Sequence, residues 1–425
     1  MKIPDLSEVT GKNDGSRKPK NVDLGKYRKK KRSVRSIIRL IILLAVLAAL
    51  VFVWFNADTI FEPLRGIASR VETKTTTDVG FPIELPGSSE YSIMKFGDAF
   101  SLLTDTYLYA YSTDGAQLYA LKHNYANPMQ AVSDKRVLLY DKAAYTFAAY
   151  SRSSLIYQKQ LDDKIVYASV GEDGLAAIVT ESERYSDVLY IYDDGGNWKY
   201  TKKFADENVM QVCSIGNGEH IIVSTLSAKH GDMLTNFYCF SIKATEGFEW
   251  KYSLRGNSLP CGMYADKSVV TAVCDNAVIV LDTATGELAG TYDFTGELRH
   301  FYMNGERTIV HYNDISANRN VVLSLNSKAE ANGVCNVSAA ASCVFCDKSG
   351  VYVLDGARLK VFDNELINEN DIQVSDDDYS SFVKIGRSAF LLGYETLNSV
   401  AVEDAPEPQT GIVTPAPEPD SGKKG

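Results

Sequence analysis

A short apolar strand that ends in a polar residue and a tight turn recurs through most of this chain. The last apolar residue before the turn can be aligned eight times, at Tyr111, Tyr150, Tyr192, Phe240, Leu281, Leu325, Phe362 and Val402. Successive members are 39, 42, 48, 41, 44, 37 and 40 residues apart. One four-stranded propeller blade requires roughly 40–50 residues. The spacing therefore predicts an all-β propeller of about eight blades.

The region 81–403 consists of short β-type runs separated by Asp, Asn, Gly and Ser. Val269–Cys274 and Ala277–Leu281, joined by a polar pair, are typical of a hairpin. We expect three or four antiparallel strands in each blade. Seven blades stay open as an alternative to eight, because Phe81–Phe96 can supply a strand that closes the ring with Ser388–Val402.

Other all-β architectures fit the spacing less well. Tandem sandwich domains need about 100 residues each and Greek-key connections, so they do not repeat at this interval. A β-solenoid has a much shorter repeat, and a lipocalin-like barrel needs fewer strands. The period favours the propeller.

One repeat has a more specific resemblance. Val278–Leu288, with its Asp-x-x-Thr-Gly turn, resembles the strand-turn-strand motif of pyrroloquinoline-quinone-type propeller repeats. Tyr109–Tyr119, Tyr190–Trp198 and Phe240–Trp250 are degenerate versions that keep a glycine after the turn and an aromatic residue beyond it. We expect these aromatic residues to be wedges between blades and not ligand contacts.

An apolar stretch near the start of the chain predicts a membrane anchor. Ile37–Phe55 contains nineteen residues and a single charge. A helix of that length reaches roughly 28 Å, close to the hydrocarbon thickness of a bilayer. We predict a transmembrane helix over residues 37–56, with an interfacial tryptophan and an arginine that reaches the headgroups. The anchor residues are Ile37, Arg39, Leu40, Leu44, Leu47, Phe52, Trp54 and Phe55.

Charge is divided unequally across this stretch. Residues 1–39 hold thirteen Lys or Arg against four Asp or Glu, a local charge of +9 in a chain of net −10. Basic segments beside a membrane helix stay in the cytoplasm. We therefore predict a cytoplasmic leader, 1–36, whose cluster Lys26–Arg35 contacts anionic lipid, and an external C-terminal region. Nucleic-acid binding by this cluster is the less simple interpretation.

A cleaved signal peptide is the alternative to an anchor. Its apolar core is shorter and is followed by a small-x-small cleavage site, which the exit after Phe55 lacks. Residues 57–80 are predicted to form a stalk or linker. Residues 404–425 contain five of the twelve prolines and predict an extended disordered tail.

No motif for catalysis, cofactor binding or metal binding is found in the sequence. The five histidines, His123, His220, His230, His300 and His311, have no metal-ligand spacing, and we expect each to be a surface or capped residue. The acidic clusters Asp193-Asp194 and Asp376–Asp378 are expected in solvated turns. No nucleophile elbow or P-loop occurs. We expect no enzyme activity, no cofactor and no metal.

Seven cysteines lie beyond residue 200, too few and too scattered for a disulfide framework. Cys343 and Cys346 have redox spacing, but strand alternation sends their side chains to opposite faces. We predict buried apolar thiols at these two positions. A pair between Cys261 and Cys274 across a hairpin stays open.

Taken along its length, the chain is similar to an uncharacterised family of single-pass bacterial propeller proteins, a domain of unknown function. The resemblance implies a bacterial plasma-membrane protein and assigns no activity. We expect a protein-binding or scaffolding platform at the cell envelope, whose partner is an unknown envelope protein or wall component. The alternative is a sensory or enzymatic propeller that binds a small molecule or cofactor in its central funnel.

Overall fold

The computed structural model describes residues 80–403, apart from 89, 230, 245–246, 257 and 375–378. Every regular element in this part is a β-strand, and no helix there has the length and apolar character to cross a membrane. Several predicted features lie outside the described residues: the leader, the membrane helix with all of its anchor residues, nearly all of the stalk, the tail, Asp376–Asp378 and His230.

Within the described residues, thirty-two strands form eight four-stranded antiparallel sheets. Strand β1 (Ile83–Glu84) precedes seven sheets of four successive strands each. Blade 1 contains β2 (Ser92–Phe96), β3 (Ala99–Leu103), β4 (Tyr107–Ser112) and β5 (Gln117–Lys122); blade 2 contains β6 (Pro128–Val132), β7 (Val137–Asp141), β8 (Thr146–Tyr150) and β9 (Leu155–Gln160); blade 3 contains β10 (Ile165–Val170), β11 (Ala176–Thr180), β12 (Asp187–Tyr192) and β13 (Trp198–Phe204); blade 4 contains β14 (Asn208–Ser214), β15 (His220–Lys229), β16 (Asp232–Ser241) and β17 (Trp250–Arg255).

The second half of the ring continues in the same order. Blade 5 contains β18 (Pro260–Ala265), β19 (Val269–Cys274), β20 (Ala277–Asp282) and β21 (Leu288–Asp293); blade 6 contains β22 (Glu297–Met303), β23 (Arg307–Asp314), β24 (Arg319–Asn326) and β25 (Ala331–Val337); blade 7 contains β26 (Ala341–Asp347), β27 (Gly350–Asp355), β28 (Arg358–Phe362) and β29 (Glu369–Gln373); blade 8 contains β30 (Ser381–Ile385), β31 (Ser388–Leu392) and β32 (Thr396–Ala401), and takes β1 as its fourth strand.

The two ends of the described chain close the ring in blade 8. Ile83 of β1 pairs with Leu397 of β32, so the most N-terminal strand completes the most C-terminal sheet. The ring of Phe81 packs on that of Phe390, with centroids 5.4 Å apart. The predicted closure is confirmed, and the blade count is eight.

The eight aligned apolar residues occupy equivalent places in the structure. Each lies within one residue of the end of the third strand of its blade. The polar residue that follows holds the turn to the fourth strand, as Asp282 shows. Its carboxylate accepts hydrogen bonds from the backbone N–H groups of Ala284 and Thr285, at 3.0 and 2.8 Å. The recurring sequence feature that predicted the fold therefore marks the end of the third strand and the turn that follows it. The resemblance to pyrroloquinoline-quinone-type repeats stays a prediction.

The core lies between neighbouring blades. Second strands are packed on both faces, and every residue of Ala99–Leu103, Val137–Asp141 and Ala176–Thr180 is buried. Such strands have continuous apolar runs in place of a two-residue alternation. The hydrophobic clusters join residues of adjacent sheets, so burial holds each blade to the next.

One register position of the outermost strand shows how blades are joined. In blades 1 to 4 an aromatic residue occupies this position: Tyr119, Tyr157, Tyr200 and Trp250. Trp250 packs on Gly286, in the turn between the third and fourth strands of blade 5. Tyr157 packs in the same way on Gly196 of blade 3. The expectation that aromatic residues after the turn are wedges is confirmed here, but it is wrong for Trp198, which is 62% exposed.

Glycine takes the same register position in blades 5 and 6. A Cβ atom at Gly290 would lie 1.8 Å from the carbonyl oxygen of Lys328, in the corresponding turn of blade 6. A Cβ atom at Gly333 would likewise lie 1.9 Å from the carbonyl oxygen of Glu365 in blade 7. These two joints are formed by close backbone approach, which needs a residue without a side chain.

Candidate functional site

The ring has two faces with different loops. We call upper the face that holds the crossovers between blades and the turns joining second to third strands. The lower face holds the turns between first and second, and between third and fourth, strands. Gly80 lies beside the lower turn at Gly115, and the N–H of Val402 bonds to Arg387 in the lower turn of blade 8. Both ends of the described chain therefore leave from the lower face.

The innermost strands of five consecutive blades have a β-bulge near the upper face. The extra residues, in blades 3 to 7, are Val166, Met210, Cys261, Arg299 and Ser342. Bulges change the direction in which neighbouring side chains point. The innermost strands of blades 8, 1 and 2 pair without any shift. We call these three blades the unbulged arc.

Side chains that follow the bulges connect neighbouring blades near the axis. The hydroxyl of Tyr167 donates to Gln211 Oε1 at 3.1 Å, and Gln211 Nε2 donates to the carbonyl of Cys261 at 3.2 Å. Farther round, the N–H of Val344 donates to His300 Nδ1 at 3.2 Å. Blades 3, 4 and 5 are thus connected in series by hydrogen bonds at their upper inner edge, and so are blades 6 and 7.

A cleft opens on the upper face over the unbulged arc. It has two lobes that share Tyr91. The lobe on blade 8 and its crossover to blade 1 has a volume of about 420 Å³, and the lobe between blades 1 and 2 about 710 Å³. Residues lining the first lobe include Glu84, Leu85, Ser88, Tyr394 and Glu395, and those lining the second include Glu90, Asp105, Asn127, Met129, Gln130 and Lys142. We call this feature the upper cleft.

Hydrogen bonds hold the floor and one wall of the larger lobe. On the floor, Gln130 Nε2 donates to the carbonyl of Ser92 at 2.7 Å, and its Oε1 accepts from Ser101 Oγ at 2.8 Å. In the wall, the buried carboxylate of Asp141 accepts from the N–H of Asn127 at 2.8 Å. These bonds hold the crossover from blade 1 to blade 2, which lines this lobe.

The ridge between the lobes is the crossover from β1 to β2. The Tyr91 hydroxyl donates to the carbonyl of Pro86, and Ser88 Oγ accepts from the N–H of Asp105 at 3.1 Å. Burial raises the pKa of Tyr91, with smaller contributions from Tyr394 and Asp105. The phenol is therefore a neutral donor at physiological pH.

The upper cleft has unpaired negative charge. Glu84, Glu90, Asp105 and Glu395 are all exposed, and no cation of the described chain lies within ion-pair distance of them. Lys142 is the single cationic residue among the described residues that line the two lobes. Clefts lined by one sign of charge concentrate ions and ligands of the opposite sign.

Some carboxylates on the lower face are paired across blade joints. Arg136 of blade 2 forms a bidentate contact with Asp194 of blade 3, with both N–O distances 2.6 Å. The Lys384 ammonium of blade 8, 4% exposed, contacts Asp347 of blade 7 at 2.5 Å. These pairs connect blades, so their charge is not available to a partner.

Apolar side chains are also exposed on the upper face at the unbulged arc. Tyr394 is 79% exposed and Met129 is 42% exposed, and each lines a lobe of the cleft. Tyr145, on the adjoining upper turn of blade 2, is 41% exposed. Tyrosine and methionine are enriched in the centres of protein interfaces. The cleft thus combines aromatic contact area with charge.

The structure shows where two of the predicted features lie, the acidic turn at Asp193 and the cysteines Cys343 and Cys346. Asp193 holds a turn, as expected, by accepting from the N–H groups of Gly195 and Asn197 at 3.0 and 2.8 Å. Cys343 and Cys346 are both buried, and they pack into different hydrophobic clusters on opposite faces of β26. Burial raises the pKa of both thiols, for Cys346 to about 12. Neither thiol is ionised at neutral pH.

The expectation of a surface or capped residue is wrong for His311. It is 1% exposed, and neither ring nitrogen has a hydrogen-bond partner among the described residues. His311 pairs across the sheet with His300, whose Nε2 lies 3.7 Å from the Sγ of Cys343. Desolvation lowers the pKa of both histidines, that of His300 to about 4.

No metal centre is recognised around the two histidines in the described part of the chain. Within the described residues, no group of three or more His, Cys, Asp or Glu side chains is arranged to hold a metal ion. The cluster is a buried polar contact between blades 6 and 7. The sequence did not reveal it because the two histidines are brought together only by strand pairing.

Strand order, blade count and the cleft over the unbulged arc define an eight-bladed β-propeller protein with a candidate binding face. The chain belongs to the family of unknown function DUF5711, whose model matches residues 70–396. The search of curated proteins found no match.

Solved structures of low sequence identity show the same fold. Sqt1 from Saccharomyces cerevisiae has 8% identity and a TM-score of 0.58, over 77% of this chain and 100% of that one. BamB from Moraxella catarrhalis has 10% identity and a TM-score of 0.52, over 77% and 99%. The computationally designed Ika8 protein has 11% identity and a TM-score of 0.54, over 75% and 98%. At these identities the likeness concerns the fold alone.

Proposed function

We propose that this protein is a membrane-anchored, extracytoplasmic β-propeller that acts as a non-enzymatic protein-binding platform at the bacterial cell envelope. The upper cleft is its docking site. The single observation that supports this choice is the exposure of Tyr394 and Met129 in a cleft formed by loops of three adjacent blades.

The fold is consistent with a binding role. A rigid ring presents loops from several blades on one face, and such loops are where binding residues concentrate. β-Propellers commonly serve as protein-interaction platforms. The described chain enters and leaves at the lower face, opposite the loops around the upper cleft.

The envelope location rests on the sequence. The anchor Ile37–Phe55 and the basic cluster Lys26–Arg35 support a cytoplasmic N-terminus, contact with anionic lipid and an external propeller. Protease added to spheroplasts tests this topology. We expect loss of an epitope placed after residue 403 and retention of one placed before residue 36. The reverse pattern contradicts the proposal.

Docking at the upper cleft is tested by site-specific photo-crosslinking in cells. A photoreactive amino acid replaces Tyr394, which is 79% exposed, and, in a matched control, Ile367, which is 76% exposed in a lower turn of blade 7. We expect one protein to be captured at position 394 and not at position 367. Equal capture at both positions, or none at position 394, contradicts docking at the upper face.

Small-molecule binding is the second candidate function. The larger lobe has a volume of about 710 Å³, within the range of about 300–1,000 Å³ found for ligand pockets. Thermal unfolding of the purified chain separates the two candidates. Under the platform proposal, neither calcium nor a quinone raises the unfolding temperature. A rise of several degrees with either implies binding to the native state and favours the second candidate.

A further inference from the structure

We propose that the upper cleft binds an extended, lysine- or arginine-rich segment of a partner protein. This inference rests on the proposed platform function and specifies the chemistry of its partner. It follows from the charges that line the cleft and from the two tyrosines that line it with them.

The carboxylates of the cleft are placed to attract a cation. Glu84 and Glu395 line the smaller lobe, while Glu90 and Asp105 line the larger one. All four are exposed, and Lys142 is the only cation that lines either lobe in the described part of the chain. Concave sites lined by charges of one sign attract ligands of the opposite charge.

Two tyrosines complete the recognition surface. Tyr91 lines both lobes, and Tyr394 stands in the smaller lobe with most of its side chain exposed. An ammonium or guanidinium group over a tyrosine face gains a cation–π contact, and its aliphatic stem gains apolar contact with the ring. A lysine or arginine side chain matches this combination of ring and carboxylate better than a neutral side chain does.

The same four carboxylates disfavour an anionic partner. Nucleic acid and anionic lipid present phosphates, which four unpaired carboxylates repel. A protein segment is the remaining macromolecular source of clustered cations at this face. On the lower face some carboxylates, such as Asp194 and Asp347, are already paired with Arg136 and Lys384.

Binding of a labelled lysine-rich peptide to the full chain in detergent tests the inference. The reference probe is the same peptide with glutamate in place of every lysine. The cleft variant is Glu84→Gln, Glu90→Gln, Asp105→Asn and Glu395→Gln together. The matched control removes the same charge from exposed sites outside the cleft, with Glu287→Gln, Glu306→Gln, Glu365→Gln and Asp293→Asn.

We expect the lysine-rich peptide to bind the wild-type chain and the control variant equally. The cleft variant loses about tenfold or more in affinity, since each exposed ion pair contributes up to a few-fold. Tyr394→Ala alone weakens binding by a few-fold, as removal of one exposed cation–π contact does. The basic leader is common to all variants and does not affect the comparison. Equal losses in the cleft and control variants, or no binding to the wild type, overturn the inference.

The crosslinked segment separates this inference from the platform proposal. Mass spectrometry of the adduct captured at position 394 identifies the partner peptide in contact with the cleft. A lysine- or arginine-rich peptide supports the inference. A neutral or acidic peptide overturns the cationic chemistry but leaves the platform in place. Absence of a specific adduct overturns both.

Discussion

The indole nitrogen of Trp250 donates a hydrogen bond of 2.8 Å to the carbonyl oxygen of Thr283. Trp250 belongs to the outermost strand of blade 4, and Thr283 to the lower turn of blade 5. The same ring packs on Gly286, where any Cβ atom would lie 2.5 Å from it. One side chain therefore holds the joint between blades 4 and 5 through both a hydrogen bond and close packing. Substitutions at such joints should report how much each joint contributes to the stability of the propeller.

Replacing Trp250 by alanine should strongly destabilise the propeller. The side chain is 7% exposed, and removal of a buried tryptophan costs about 3–5 kcal/mol of the free energy of unfolding. The control is Trp198→Ala, because Trp198 is 62% exposed and such surface substitutions change stability by about 0.5 kcal/mol or less. Urea unfolding followed by circular dichroism measures both. Similar losses in the two variants contradict the wedge role of Trp250.

Glycine at the joint of blades 5 and 6 gives a second prediction. Gly290→Ala should destabilise the ring by about 1–3 kcal/mol, as overpacking does, because the new Cβ would lie 1.8 Å from the Lys328 oxygen. Gly290 does not have a positive φ, so the effect is steric and not conformational. Gly87→Ala is the control, since its Cβ would meet nothing within 4 Å. Equal stability of the two variants contradicts the close approach.

The fold was predictable because its turns repeat. Residues such as Leu281, followed by Asp282, mark the end of a third strand in each blade, and the interval between them is the length of a blade. The upper cleft was not predictable, because Tyr91 and Tyr394 are about three hundred residues apart in sequence and meet only when β1 closes the ring. Bulges in the innermost strands also have no signal in a single sequence.

Burial of His311 was missed for a related reason. In a strand with one solvent-exposed face, the alternation of apolar and polar residues shows which side chains are buried and which are exposed. The second strand of each blade is packed on both faces, so a polar residue beside Ile309 and Val310 does not indicate an exposed side. Register adds the missing information by placing His311 opposite His300.

The buried histidines predict acid sensitivity at the joint of blades 6 and 7. His300 and Arg299 of blade 6 and Asp355 of blade 7 are the charged or titratable groups around His311. Burial lowers the pKa of both histidines below 6.5, so the unfolded chain binds more protons than the native one. Their contribution to stability is complete above pH 6.5 and falls as the pH drops toward 4.

His311→Leu tests this acid sensitivity. The equivalent second-strand residues of blades 7 and 8 are Leu354 and Leu392, so leucine suits the position. Loss of an unsatisfied buried ring should stabilise the chain by about 1–2 kcal/mol and flatten the fall in stability below pH 6.5. Urea unfolding at several pH values measures the difference from wild type. A difference that does not vary with pH contradicts the neutral buried state of His311.

A buried carboxyl predicts the opposite pH dependence in blade 3. Asp187 is 6% exposed, and its Oδ2 accepts a hydrogen bond of 2.6 Å from the N–H of Val209. Desolvation nonetheless raises its pKa from 3.8 to about 6, so the native chain holds a proton that the unfolded chain has lost. Its contribution to stability is complete below pH 3.8 and is lost as the pH rises through 6.

Asp187→Asn should therefore match the wild type in stability at pH 4 and exceed it at pH 8 by about 1–2 kcal/mol, because the amide keeps an acceptor and never ionises. Asp282→Asn is the control of opposite sign. Hydrogen bonds from Thr285 lower the pKa of Asp282, so this variant should be less stable than wild type at pH 8, and the deficit should disappear as the carboxylate of the wild type becomes protonated in acid. Difference curves from urea unfolding across this range measure both variants. If the stability difference from wild type has the same sign for both variants at pH 8, the assignment of a desolvated carboxyl at Asp187 and a hydrogen-bonded carboxylate at Asp282 is contradicted.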